Sequence, residues 1–98
     1  MEVVFKYKLK FRDIAQVEMP LGAKILTIDK QADSLENLNI DSYVCIWAVV
    51  DNEVKEMETR KFRIAGTGHS LDNLHLKYIN SVQVFNGSQI YHIFEILQ

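Results

Sequence analysis

TRKFRIAGTGHSLDNLHLKYINSVQVFNGSQIYHIFE, residues Thr59–Glu95, is the stretch whose pattern decides the fold. Phe62 and Ile64 alternate with Lys61 and Arg63, the period of two that marks a strand with one buried face. That strand runs into Gly66-Thr67-Gly68-His69, where two glycines free the backbone from its usual steric limits. Two β-rich runs follow, Ile79–Phe85 and Gln89–Leu97, joined around Asn86-Gly87, a strong short-range hairpin signal.

Working outward, Val3–Leu9 alternates apolar residues with Lys6 and Lys8. It reads as a half-exposed strand whose lysines suit a sheet edge by discouraging pairing with a second molecule. Gln16–Met19 is a short strand, Pro20-Leu21-Gly22 a turn, and Lys24–Lys30 a third strand. Gln31–Ser42 is polar and reads as a loop with one helical turn capped by Asp33 or Ser34. Tyr43–Val50 is apolar on both faces, which predicts a central strand covered on each side. Asp51-Asn52 turns the chain, so Glu56–Ala65 is expected to pair back on it antiparallel. Ser70–Leu76 has room for one helical turn. About seven strands at short spacing, with no long helical period, predict a single all-β domain over residues 1–98. The expected architecture is a small antiparallel β-sandwich or partly open barrel. Val44, Ile46, Trp47, Phe62, Ile64, Ile93 and Phe94 are its expected core.

The totals fit that reading. The chain has 98 residues, 48% of them hydrophobic and 24% charged, enough to bury roughly 60–70% of its unfolded surface without metal or disulfide staples. A formal net charge of −2 argues against a dedicated nucleic-acid binder, which usually carries a basic face. The basic clusters Lys6/Lys8/Lys10/Arg12 and Arg60/Lys61/Arg63 alternate with apolar residues and read as the wet faces of strands. The single cysteine, Cys45, sits among apolar residues and reads as buried and inert. No N-terminal apolar h-region stands out, and the apolar runs fall far short of the ~20 residues of a membrane span. The expectation is a cytoplasmic protein with no membrane partner.

Residues for chemistry are few. His69, His75 and His92 lack the paired spacing of a zinc site, so neither metal nor cofactor is expected. His92, in register with Ile90 and Phe94, reads as a half-buried histidine with satisfied nitrogens. No nucleophile elbow, metalloprotease helix or telling carboxylate pair is present. Glu58, Arg60 and Glu95 suit a cross-strand ion pair. Gly66-Thr67-Gly68-His69 lacks the context of a P-loop or a dinucleotide fingerprint, and a tight bend at a sheet corner explains it. The alternative is an anion-binding nest of exposed backbone N–H groups. In that reading Arg63, Gly66, Thr67, Gly68 and His69 form a ligand-binding site, with Arg63 and Thr67 supplying polar contacts.

The order of motifs carries a resemblance. Met19–Leu26 (MPLGAKIL), Cys45–Asp51 (CIWAVVD), Phe62–His69 (FRIAGTGH), Tyr78-Ile79 with Val82-Gln83, and Tyr91–Glu95 (YHIFE) follow one another. The series resembles a family of small, uncharacterised proteins encoded by bacteriophages and prophages, with Phe-x-Ile-x-Gly-Thr-Gly-His its most specific part. The longer polar stretch Gln31–Ser42 departs from that pattern. The resemblance brings no catalytic residues and implies an accessory binding protein. Such a protein would antagonise a host defence factor or sequester a small anionic or nucleotide ligand. Two other readings stand beside it: a virion structural or assembly component that forms a homo-oligomer through its edge strands, and a small hydrolase using His69.

Overall fold

The computed structural model describes residues 1–31, 42–84 and 87–97. The helical turn expected near Asp33, most of the stretch Gln31–Ser42, and Phe85-Asn86 lie outside the described residues. Among the described residues there are seven strands: β1 (Glu2–Lys10), β2 (Ile14–Pro20), β3 (Lys24–Asp29), β4 (Tyr43–Asp51), β5 (Met57–Gly66), β6 (Leu76–Val84) and β7 (Gln89–Ile96). They form a three-stranded sheet in the order β1-β4-β3 and a four-stranded sheet in the order β2-β5-β7-β6. Every pairing is antiparallel. The fold is an all-β sandwich with no closed barrel, and no helix among the described residues.

The alternation of each strand sets the core. Leu9, Ile28, Val44, Ile46, Ala48 and Val50 of the smaller sheet meet Ala15, Met19, Phe62, Ile64, Val82, Val84 and Ile93 of the larger one. Phe62 is fully buried at the centre of this cluster. Two expected core residues lie elsewhere. Trp47 shares its face of β4 with Tyr43, Cys45 and Val49, opposite the face of Ile46, and is half-buried outside the sandwich. Phe94 alternates with Ile93 and faces outward, where its ring meets Tyr78 edge-on at 5.6 Å. An apolar run hides its parity, because every position looks suitable for the core. Cys45, in contrast, is fully buried although it shares the outer face with Trp47.

The expected β4–β5 hairpin does not form. β4 is flanked by β1 and β3, and β5 by β2 and β7, so the segment after Asp51 carries the chain from one sheet to the other. Its first turn is held by the Val54 N–H donating to the Asp51 carbonyl at 3.1 Å. The lysine-rich β1 does form an edge of its sheet.

Polar contacts close the sandwich where apolar packing ends. A bulge at Ile79 shifts the β6–β7 register between Tyr78 and Asn80 and turns Asn80 inward. Its side chain accepts from the Ile28 N–H at 3.0 Å and donates to the Ile28 carbonyl, so one amide pairs with the open edge of β3 as a strand would. At the end near the β2–β3 turn, Arg60 of β5 grips Glu95 of β7 through Nε at 2.5 Å and Nη2 at 3.0 Å. Arg60 Nη1 also donates to the Ala23 carbonyl at 2.7 Å, while Glu58 accepts the Gly22 N–H at 3.0 Å. The hydrogen bonds to Glu95 outweigh desolvation and raise the Arg60 pKa above its ordinary value, so the guanidinium stays charged.

Two stability outcomes are expected. Phe62→Ala should cost about 3–5 kcal/mol in urea unfolding, as a fully buried aromatic does, and Trp47→Ala clearly less; equal losses would contradict the assigned faces. Glu95→Leu should cost about 1–3 kcal/mol because it leaves a half-buried guanidinium with only Glu58 and the Ala23 carbonyl, and adding Arg60→Met should recover most of that loss. A double variant as unstable as the single one would mean that the pair itself carries the stability.

Candidate ligand-binding site

The site depends on how the chain travels from β5 to β6. Both strands flank β7 and run antiparallel to it, so they are parallel to each other and a hairpin cannot join them. Gly66 stands opposite Tyr91 and Leu76 opposite Ile96, so residues 67–75 must run along the outer side of β7. That climb is about 17 Å at strand spacing, whereas ten Cα steps can reach roughly 33 Å. The slack is taken up in two turns.

The first turn is Gly66-Thr67-Gly68-His69. The His69 N–H donates to the Gly66 carbonyl at 3.0 Å, and Gly68 at φ 90° supplies the positive φ that a type II turn needs at its third residue. Gly66 has a different reason to be glycine. The His69 ring folds back so that Nδ1 accepts the Gly66 N–H at 3.1 Å, and a Cβ on Gly66 would lie 2.9 Å from His69 Cε1. With Nδ1 occupied as an acceptor, a neutral His69 carries its proton on Nε2 and is a donor to whatever lies beyond.

The second turn, Leu71–Leu74, replaces the expected helical turn. Asp72 at φ 59° and Asn73 at φ 55° both occupy the left-handed region, and the Leu74 N–H donates to the Leu71 carbonyl at 3.2 Å. Asp and Asn tolerate that region better than other side chains do, which suits them to a type I′ turn and unsuits them to a helix interior.

Arg63 lies beneath this crossover and is 5% exposed. Its Nη2 donates to the Ser70 carbonyl at 2.6 Å, and Nη1 donates to the carbonyls of Ile64 at 2.8 Å and Asp13 at 3.2 Å. Its Nε faces Asp72 Oδ2 at 3.6 Å. The sequence assigns Arg63 a ligand contact, but its guanidinium is spent on the backbone and pins the crossover to the sheet.

Thr67 and His69 do come together with a second element. A cleft of about 390 Å³ has Gly66, Thr67 and His69 on one side, and Gly87, Ser88, Gln89, Ile90 and Tyr91 of the β6–β7 hairpin on the other. Among the described residues that line it, none carries a carboxylate, a lysine or an arginine. Gly87 at φ 84° shapes the hairpin tip, its N–H donating to the Val84 carbonyl at 3.1 Å. Tyr91 closes the base, its ring edge-on to Phe11 at 4.9 Å and its hydroxyl donating to Gln89 at 3.2 Å. Gly68 shapes the turn without lining the cleft. Another cleft of about 390 Å³ opens over Arg60 and Glu95 beside the β2–β3 turn, but there the guanidinium and carboxylate already satisfy each other.

Behind the cleft runs a chain of hydrogen bonds. Thr67 Oγ1 lies 3.0 Å from His92 Nε2, Ser81 Oγ 2.8 Å from His92 Nδ1, and Tyr78 Oη 2.9 Å from Ser81 Oγ. His92 is half-buried with both nitrogens engaged. Sequence reasoning missed Ser81, Tyr78 and the hairpin-tip residues as neighbours of the Gly66–His69 turn. The Ile79 bulge explains the first: with regular alternation, Asn80 would share the outer face with Tyr78, and Ser81 would point inward. His75 stands apart, its carbonyl accepting the Leu97 N–H at 2.8 Å.

Among the described residues no three His, Cys, Asp or Glu side chains gather as a metal site, and no helix is long and apolar enough to cross a membrane. Residues 1–98 match the family described as Domain of unknown function (DUF7352), and the chain belongs to that family. Comparison with curated proteins finds no match, nor does comparison with solved structures.

One substitution separates the roles of the two turn glycines. Gly68→Ala should cost about 1–2 kcal/mol by forcing a side chain into the left-handed region. Gly66→Ala should instead swing the His69 ring away, seen as loss of the Nδ1 acceptor signature in its ¹⁵N spectrum. An unmoved His69 ring in Gly66→Ala would contradict this packing.

Proposed function

We propose that this member of the DUF7352 family is a non-enzymatic, phage-encoded accessory protein that acts by binding in the host cytoplasm. Its contact point is the cleft between the Gly66–His69 turn and the β6–β7 hairpin tip, and its target is a small anionic ligand or an acceptor-bearing segment of a host factor. The observation that carries this reading is the cleft wall, where Thr67 and His69, the latter with Nδ1 occupied by the Gly66 N–H, sit with no carboxylate among the described lining residues. Donors fixed by secondary structure recognise oxygen acceptors without paying a large ordering cost. Backbone placement supports the same reading: the turn is held to the sheet through Arg63, so its two polar side chains are presented on a rigid element.

The reading fits binding better than hydrolysis with His69 as base. A general base needs a free lone pair on the nitrogen that faces the reacting proton, and the Nδ1 lone pair of His69 is taken by the Gly66 N–H. No hydroxyl or thiol among the described residues is hydrogen-bonded to that ring.

The test uses the full chain recovered from phage-infected cells and examined by native mass spectrometry for ligand or host protein retained with it. Thr67→Ala/His69→Ala, with both glycines kept, should leave the unfolding midpoint near that of the parent chain. It should weaken the retained complex by about 1–3 kcal/mol, the loss of two side-chain hydrogen bonds, one of them from a titratable donor. Retention of the same species at the same strength would remove the cleft from the function.

A further inference from the structure

We infer that Tyr78, Ser81 and His92 form a polarity relay that fixes the Thr67 hydroxyl as a donor into the cleft, so that the site selects a carboxylate or phosphate oxyanion. This inference rests on the cleft being the binding site and names what it selects. The four groups are linked in series, Tyr78 to Ser81 at 2.9 Å, Ser81 to His92 Nδ1 at 2.8 Å, and His92 Nε2 to Thr67 at 3.0 Å. A series of hydroxyls through a neutral imidazole has three consistent patterns, because the ring has one N–H and one lone pair while the Ser81 oxygen can accept twice. In one, protons point from Tyr78 toward Thr67; in the second, they point from Thr67 toward Tyr78; in the third, Ser81 accepts from both Tyr78 and Nδ1–H while Thr67 donates to Nε2.

The chemistry of the ends chooses between them. A phenol, with a pKa near ~10, is a stronger donor and a poorer acceptor than an aliphatic alcohol. Tyr78 therefore donates to Ser81; accepting from Nδ1–H as well would leave the half-buried Ser81 O–H unpaired, so Ser81 donates to Nδ1, and His92 carries its proton on Nε2 and donates to Thr67. Thr67 Oγ1 is then occupied as an acceptor and its own O–H is left to point onward. Each link polarises the next in the same sense, so the last hydroxyl becomes a better donor than an isolated threonine.

The result is a matched pair. Thr67 O–H is set by this relay and His69 Nε2–H by the Gly66 N–H, and both line one cleft. Two donors with no carboxylate among the described lining residues favour an oxyanion and disfavour a cationic ligand. Tyr78 and Ser81 touch no ligand in this scheme and are positioning residues. Their effect passes through the His92 tautomer.

Nuclear magnetic resonance of the labelled full chain at neutral pH tests both halves. The free protein should show His92 as the Nε2–H tautomer; the Nδ1–H tautomer overturns the relay. Inorganic phosphate and acetate are then titrated while the Gly66, Thr67 and Tyr91 amides are followed. At least one anion should saturate these shifts, phosphate alone indicating a phosphoryl ligand and acetate alone a carboxylate. Thr67→Val should weaken that binding about two- to tenfold, the value of one hydrogen bond. Tyr78→Phe, outside the cleft, should also weaken it at least about twofold and mix the His92 tautomers, and Ser81→Ala replaces it if that variant unfolds. Unchanged affinity and tautomer in those variants overturn the relay while leaving the cleft as the site. Failure of both anions to bind overturns the oxyanion assignment. A ligand retained from cells and lost in Thr67→Ala/His69→Ala would in that case still support the broader proposal.

Discussion

The crossover from β5 to β6 is the constraint on which the rest depends. In a sheet ordered β2-β5-β7-β6, two parallel strands must be joined over the strand between them. The connecting residues lie against a sheet face, where their carbonyls have no ladder partner. Arg63 meets that need from below at Ser70, whose carbonyl accepts from Nη2, while Nη1 ties the same guanidinium to the carbonyls of Ile64 in β5 and Asp13 just before β2. A planar guanidinium with five donors suits this task in a way a lysine does not. The cost of burying its charge is offset by those carbonyls and by Asp72 3.6 Å from Nε. With the crossover held at Ser70, the four residues before it have little freedom, and the Gly66–His69 turn faces the hairpin tip.

Polar groups finish the sandwich at places where strand pairing stops. Asn80 bridges the edges of β3 and β6 through both halves of its amide. Arg60, Glu95 and Glu58 tie the β2–β3 turn to the larger sheet. Between β3 and β6 a side chain stands where a strand pairing would otherwise close the two sheets together. The bulge at Ile79 serves both closure and site, since one shift of parity sends Asn80 inward and Ser81 outward to His92.

Several motif residues that looked chemical in the sequence are therefore architectural. Arg63 anchors the crossover, Gly68 supplies a positive φ, and Gly66 makes room for a ring. Arg60 and Glu95 form the ion pair expected of them. Thr67 and His69 line a cleft, and His92 connects Thr67 to Ser81 and Tyr78. A motif dense in glycine and polar residues can carry both kinds of demand at once.

The sequence by itself determined the class and the strands. Alternation in Val3–Leu9 and Lys61–Ile64, turn residues such as Pro20-Leu21-Gly22, and the hairpin signal near Gly87 are local, and local sterics act on a few neighbours at a time. It also marked Gly66–His69 as a backbone singularity. Only the tertiary structure decided which strands pair, because β4 and β5 are each good partners and long-range packing places them in different sheets. Tertiary structure alone also put Trp47 and Phe94 on outer faces, since an apolar strand carries no mark of its inward side. The same holds for the site. Arg63 lies under the crossover, Tyr91 lines the cleft, and Ser81 and Tyr78 join the hydrogen-bond chain to Thr67, because a crossover and a one-residue bulge, neither written in any short motif, set what meets across β7.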